Sequence, residues 1–225
     1  GGPHAEIYAL REAGAAAAGA TAYVTLEPCS HEGRTPPCVD ALIEARVARV
    51  VVAMHDPNPV VSGSGMLRLA QAEIPCSAGL LEAEAAEIDR GFIMRMLHGR
   101  PWVTLKLGAS LDGRTALANG TSKWITGERS RADVQRLRAR ACAVITGSGT
   151  VVADDPMLTV RDPDLELRGR RPLRVVLDSH LRTPTTSQVL CFAGSTLILT
   201  RDASSPLSEP LRSAGARVEE VPAST

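Results

Sequence analysis

The chain has 225 residues, 44% of them hydrophobic, enough for one large core or two small ones. Its 25 Lys and Arg balance 25 Asp and Glu and only 3% of residues are aromatic, so neither nucleic acid nor an anionic membrane is an expected partner. A small-molecule substrate is expected instead.

Residues 4–18 predict a helix, rich in Ala with Ile7 and Leu10 turned inward, and Gly19 ends it. Residues 21–26 alternate like a strand and deliver the chain to Pro28-Cys29, where Pro28 suits the first position of a helix. A helix over 39–47 and a short apolar strand over 49–54 follow. Asp56-Pro57-Asn58-Pro59 then breaks the chain, because prolines so close together continue neither a helix nor a central strand. Helix 66–72, strand 75–79 and helix 82–97 complete an alternation that implies a mostly parallel α/β sheet.

Gly99-Arg100-Pro101 is the expected boundary between two domains, 1–99 and 100–225. Beyond it the sequence predicts a strand over 102–110 carrying Lys106, a Gly/Asn turn, and a helix over 129–141. A strand over 142–146 runs into Gly147-Ser148-Gly149-Thr150 and a helical turn over 151–154. Strands over 173–177, 196–199 and 216–221 are separated by turn-rich sequence, and no internal repeat is evident. Five cysteines, an odd number without secretory spacing, point to a reducing cytosol. Cys76, Cys142 and Cys191 lie in apolar stretches and are expected to be buried and inert. No run reaches membrane-spanning length and no signal peptide is recognisable, so a cytoplasmic protein is expected.

The chemistry concentrates in Pro3-His4-Ala5-Glu6 and in Glu27-Pro28-Cys29-Ser30-His31-Glu32-Gly33-Arg34-Thr35-Pro36-Pro37-Cys38. One imidazole and two thiols make three zinc ligands and leave a tetrahedral position for water. Zinc lowers the pKa of bound water from about 15.7 to roughly 7, and Glu6, not needed as a ligand, can carry its proton to a leaving amine. His-x-Glu followed by Pro-Cys is the pattern of the zinc nucleobase deaminases, although eight residues rather than two separate Cys29 from Cys38. Cys29 is expected near a helix N-terminus, whose dipole favours thiolate, and His4 is expected to open another helix, placing zinc between two helix starts. The alternative is a closed structural site with His31 or Cys76 as a fourth ligand. His31, two residues from Cys29, reads as a loop residue near the substrate.

In the second half, Gly147-Ser148-Gly149-Thr150 between a strand and a helical turn could cradle a phosphate, a weak signal without GxGxxG. Arg129, Arg131, Arg136, Arg138 and Arg140 read first as a solvated helix face. Lys106 inside an apolar strand must either snorkel to solvent or meet an anion.

His4-Ala5-Glu6, Thr25 through Cys38, Asp56-Pro57-Asn58-Pro59, Lys106 through Arg114, and Ala153-Asp154-Asp155-Pro156 together resemble the bacterial bifunctional riboflavin-biosynthesis deaminase–reductase family. The resemblance spans essentially the whole chain in order. It implies an α/β protein: a cytidine-deaminase-like three-layer domain, then a partial dihydrofolate-reductase-like domain. It implies zinc-dependent deamination of 2,5-diamino-6-(5-phosphoribosylamino)pyrimidin-4-one, then NADPH-dependent reduction of the ribosyl group to ribityl. By the same resemblance His4, Cys29 and Cys38 bind zinc and Glu6 is catalytic. NADP falls near Gly108, Trp124, Thr150, Asp154 and Ser179, and substrate near Ser122, Arg138, Leu158 and Arg161, with Lys106 beside them. A homo-oligomer is expected.

The family carries a segment before His-Ala-Glu and a Gly-rich cofactor loop beyond the point where this chain stops at Ala223-Ser224-Thr225. A fragment, poorly stable and weakly active alone, is therefore expected. Two rivals stand beside this reading: a single-function cytosine, guanine or tRNA-adenosine deaminase with a non-catalytic appendage, and a zinc-stabilised scaffold.

Overall fold

Parallel strands joined by helices organise both halves of the chain. The computed structural model describes residues 2–33, 35–191 and 195–222, so Arg34 of the metal motif and Ala223-Ser224-Thr225 lie outside the described residues. Two compact units are formed, Gly1–Thr104 and Leu105–Thr225.

In the first unit α1 (Ala5–Ala13) is followed by a short 3-10 turn, then β1 (Thr21–Leu26), α2 (Cys38–Glu44), β2 (Arg49–Met54), α3 (Ser64–Gln71), β3 (Cys76–Ala78) and α4 (Glu82–His98). The sheet runs β1-β2-β3, all parallel, with Tyr23 opposite Val51 and Val51 opposite Ser77. A parallel strand covered on both faces needs a continuous apolar run, and β2 (Arg-Val-Val-Val-Ala-Met) has one. Val50 and Val52 pack with Val39 and Leu42 of α2 and Leu69 of α3, while Ala53 and Met54 pack with Ala85 of α4. Helices on both faces make three layers.

The second unit contains α5 (Glu128–Arg140), β4 (Ala143–Gly147), α6 (Ser148–Asp154), β5 (Leu173–Leu177), α7 (Gln188–Cys191), β6 (Thr196–Thr200), α8 (Ser208–Ser213) and β7 (Ala216–Glu220). Its sheet is parallel throughout, in the order β4-β5-β6-β7. Val176, Ile198 and Val218 point to one face and meet Val151 of α6, Val189 of α7 and Leu211 of α8. On the other face Ile145 and Leu177 remain 62% and 51% exposed. The sequence did not single out α7 and α8, which are only four and six residues long.

Three expectations are corrected. Residues 102–110 form no strand: Val103, Leu105 and Leu107 are exposed, and the segment pairs with neither β4 nor β7. A strand exists only where its backbone groups find partners, whatever its side-chain pattern. Cys142 and Cys191 are exposed rather than buried, and Cys76 is half-buried. Gly147-Ser148-Gly149-Thr150 is not a loop ahead of a helix, since Gly147 is the N-cap and the other three begin α6. No helix among the described residues is long and apolar enough to cross a membrane.

Asp178, just beyond β5, is 1% exposed, and its Oδ2 accepts hydrogen bonds from the Thr183 N–H and hydroxyl, both at 2.7 Å. Burial works against its charge, but the Thr183 hydroxyl and the Arg182 and Thr183 N–H groups outweigh it and hold the carboxyl below its ordinary 3.8. A depressed folded pKa contributes stability above the ordinary value and loses it as pH falls below that value. Thermal unfolding across an acid series is therefore expected to show stability falling below about pH 3.8. Asp178→Asn should lower Tm at neutral pH and flatten that part of the acid dependence. An unchanged neutral Tm would contradict this.

Candidate active site

The expected metal-ligand atoms converge where β1 ends and two helices begin. His4 is the N-cap of α1, and Cys38 is the first residue of α2 after Pro37. His4 Nδ1 lies 3.5 Å from Cys29 Sγ and 3.3 Å from Cys38 Sγ, and the three donor atoms all lie within 4.8 Å of one another. All five cysteines are free thiols. A tetrahedral zinc with Zn–S of about 2.3 Å and Zn–N of about 2.0–2.1 Å has N···S edges of about 3.5 Å and an S···S edge of about 3.8 Å. The cluster therefore fits the metal.

Cys29 does not stand at the start of its own helix, because the chain after Pro28 turns away as a loop. The helix start that serves it is α2: the Cys38 N–H donates to Cys29 Sγ at 3.3 Å and the Val39 N–H to the Cys29 carbonyl at 3.2 Å. The first of these places a helix-start N–H on the sulfur, and the second ties the Cys29 backbone to the same turn. Burial, then the Glu6 carboxylate and then Cys29 push the Cys38 thiol's pKa up. A divalent cation reverses that balance by binding the thiolate. Glu6, in the first turn of α1, thus lies against the metal position without being among the three donors. His31 is exposed in the loop, and neither it nor Cys76 joins the cluster among the described residues.

Glu27 immediately follows β1 and is 3% exposed. Burial opposes its ionisation, yet the N–H groups of Gly63, Asp56 and Met66, with His55, hold its carboxyl below the ordinary range.

In the second unit the expected residues fall into small groups. Ser122 Oγ is 3.5 Å from Asp154 Oδ1. A Cβ on Gly108 would lie 3.4 Å from Lys106 Nζ and 3.7 Å from the Thr126 methyl, so Lys106 reaches solvent beside that glycine. Thr150, in α6 after β4, and Ser179, after β5, are exposed beyond the carboxyl ends of adjacent parallel strands, where open α/β sheets bind ligands. Asp154 is exposed, whereas Asp155 accepts from the Gln188 N–H at 2.7 Å and from its side-chain amide, holding the start of α7. Leu158 is 6% exposed and spends its side chain on the core, so only its backbone can face a ligand.

Arg138 is half-buried and donates to the Thr159 carbonyl at 3.1 Å. Burial and the like charge of Arg161 hold its pKa below the usual guanidinium value. Neither Arg138 nor Arg161 forms an ion pair among the described residues, so two neighbouring cations lack a protein counter-charge. Gln135 Oε1 accepts from the Arg161 N–H at 2.8 Å and fixes that turn. A cleft of about 350 Å³ takes in Leu158 and Thr159 but is otherwise lined largely by Arg168, Arg170, Arg171 and Arg174, without the remaining expected residues.

The solvated-face reading holds for Arg129, Arg136 and Arg140 but not for Arg138, described above, or for Arg131. The Arg131 guanidinium lies 4.5 Å from the centroid of Trp124 and donates to the Thr126 carbonyl at 2.6 Å. Only the aromatic seven residues upstream hinted at this, a spacing with no helical meaning before α5 begins.

A parallel α/β unit with a His–Cys–Cys cluster and an adjacent free carboxylate defines the class of zinc-binding deaminase folds. Residues 1–54 match the zinc-binding region of cytidine and deoxycytidylate deaminases, and residues 101–218 match the RibD C-terminal domain. The riboflavin biosynthesis protein RibD of Escherichia coli is 55% identical over 205 residues, covering 87% of this chain and 56% of that protein. The Haemophilus influenzae RibD is 52% identical over 198 residues, covering 84% and 53%. A solved Acinetobacter baumannii RibD superposes with a TM-score of 0.88 at 47% identity, over 98% of this chain and 61% of that one. The Thermotoga maritima diaminohydroxyphosphoribosylaminopyrimidine deaminase/5-amino-6-(5-phosphoribosylamino)uracil reductase gives 0.80 at 35% identity, over 98% and 68%. This chain belongs to the RibD family, and it spans little more than half the length of the curated relatives it matches.

The Arg131–Trp124 contact should be visible in solution. A cation–π pair at a partly exposed site is worth about 0.5–1 kcal/mol. In a Trp102→Phe background, Arg131→Ala is expected to raise acrylamide quenching of Trp124 fluorescence. Equal quenching in the two proteins would show that the stack does not form.

Proposed function

We propose that the first unit carries out zinc-dependent hydrolytic deamination of 2,5-diamino-6-(5-phosphoribosylamino)pyrimidin-4-one. On the same reading the second unit reduces the ribosyl group of the product to ribityl with NADPH, within riboflavin biosynthesis. The observation that carries the first half is the His4–Cys29–Cys38 cluster with Glu6 against Cys38. His4, Cys29 and Cys38 would hold the metal, which when bound makes hydroxide available at neutral pH. Glu6 takes the proton from water as its oxygen bonds to the amine-bearing ring carbon. It then returns that proton to the departing nitrogen as the C–N bond breaks, releasing ammonia.

For the second half, Gly108, Trp124, Thr150, Asp154 and Ser179 would hold NADPH, which supplies the hydride. The exposed strand-end positions of Thr150 and Ser179 support this. Arg138 and Arg161 would take the substrate phosphate, because two forked donors without a carboxylate partner among the described residues match phosphate oxygens. Ser122, Lys106 and the Leu158 backbone would complete the substrate side. The match to the RibD C-terminal domain supports assigning this chemistry to the second unit.

Glu6→Gln is expected to lower deamination of the pyrimidine phosphate by about 10²–10⁴-fold, the usual scale of a positioned proton carrier, while one zinc per chain is retained. Deamination persisting at the wild-type rate would remove Glu6 from this role. A zinc-loaded wild type that deaminates no pyrimidine would favour a scaffold. Arg138→Ala and Arg161→Ala should each raise the reductase KM for the phosphorylated substrate at least tenfold and leave zinc content unchanged. An unaltered KM would place the phosphate elsewhere.

A further inference from the structure

The loop that carries Cys29 is fastened to the start of α3 at four points. Glu27 Oε1 accepts from the N–H groups of Gly65 at 3.0 Å and Met66 at 3.3 Å. Its Oε2 accepts from the N–H of Gly63 at 3.0 Å and of Asp56 at 3.3 Å, with His55 Nδ1 also at 3.3 Å. Next along the chain, the Pro28 carbonyl approaches so closely that a Cβ on Gly65 would lie 2.0 Å from its oxygen. Ser30 and Ser64 hydroxyls are 2.7 Å apart, and Arg68 donates to the Ser30 carbonyl at 3.2 Å. Cys29 is the residue in the middle of this fastening and the one whose side chain faces His4.

We propose that Glu27 is a positioning residue of the metal centre. Its carboxylate fixes the loop on α3 so that Cys29 Sγ is presented to the metal at the distance His4 and Cys38 require. The inference rests on the zinc reading above. The carboxylate accepts from four backbone N–H groups, those of Gly63, Gly65 and Met66 at the start of α3 and that of Asp56 just beyond β2, with His55 Nδ1 beside it. No neutral side chain of the same shape can accept all of these without turning an N–H toward an N–H. Gly65 provides the steric half of the same device: without a side chain it admits the Pro28 carbonyl.

The test uses the whole chain. Zinc affinity is measured by chelator competition, and the cobalt-substituted protein is examined for its thiolate charge-transfer absorption. Glu27→Gln and Gly65→Ala are each expected to weaken zinc about 10–100-fold, the scale of outer-shell changes, and to reduce the thiolate band. Val52→Ala, a core change away from the loop, should lower Tm without altering either readout. Folded variants with wild-type zinc affinity and an unchanged cobalt spectrum would overturn the positioning role while leaving the metal site intact. A wild type that binds neither metal would instead remove the zinc reading itself. Should Glu27→Gln fail to fold, Gly65→Ala carries the comparison. Failure of both would make the contact a folding requirement and also overturn the proposal.

Discussion

Ligand atoms from residues 4, 29 and 38 meet because one parallel strand ends where two helices begin. That constraint governs much of the first unit. Strand β1 must be held in register with β2 so that the chain emerges at the right level, and the residue after it, Glu27, still donates its N–H to the Met54 carbonyl at 3.0 Å. The α1 start must reach the same point with His4 as its cap, and α2 must begin at Cys38 so that its first free N–H is spent on Cys29 sulfur. Orphan N–H groups at a helix start would otherwise need water. The fold thus satisfies one of its own unpaired donors with the sulfur of a candidate metal ligand, and the two needs fix each other's geometry.

Charge is handled differently in the two units, although the chain as a whole is neutral. Around the metal position the protein gathers Glu6 and two thiols, an arrangement that burial makes unfavourable unless a cation arrives. In the second unit Arg138 and Arg161 are crowded together without a carboxylate partner among the described residues, which is unfavourable unless an anion arrives. Each is a local imbalance that a ligand of the opposite sign would relieve. Net charge could not have revealed either one, since it sums over both.

Most elements were legible from sequence. Strands at Thr21–Leu26, Arg49–Met54 and Leu173–Leu177 fall where alternation and apolar runs place them, because in a parallel sheet burial writes directly into the sequence. That His4, Cys29 and Cys38 would come together was legible because only a few residue types bind zinc. The misses have common causes. Residues 102–110 carry a strand's composition but no pairing partner among the described residues, and pairing is a property of the surroundings. Arg131 looked like its solvated neighbours because the Trp124 ring reaches it through a turn rather than along a helix face. Leu158 is no miss, but its side chain is core and only its backbone is left for a ligand, a distinction that only burial can make.

Glu27 shows the limit most clearly. It sits inside the most informative motif of the chain, two residues before a metal ligand, and its sequence neighbours account for none of its contacts except by adjacency. Its partners are backbone N–H groups of residues 56, 63, 65 and 66, which every non-proline residue possesses and no residue name announces. The glycine at 65 is the one visible trace, and a glycine in a helix is ordinarily read as a weakness of about 1 kcal/mol. Here it is the condition for a carbonyl to approach within contact of the helix backbone. A side chain that binds a substrate or metal can be guessed from its type. A side chain that acts by holding backbone is recognisable only once the chain has folded around it.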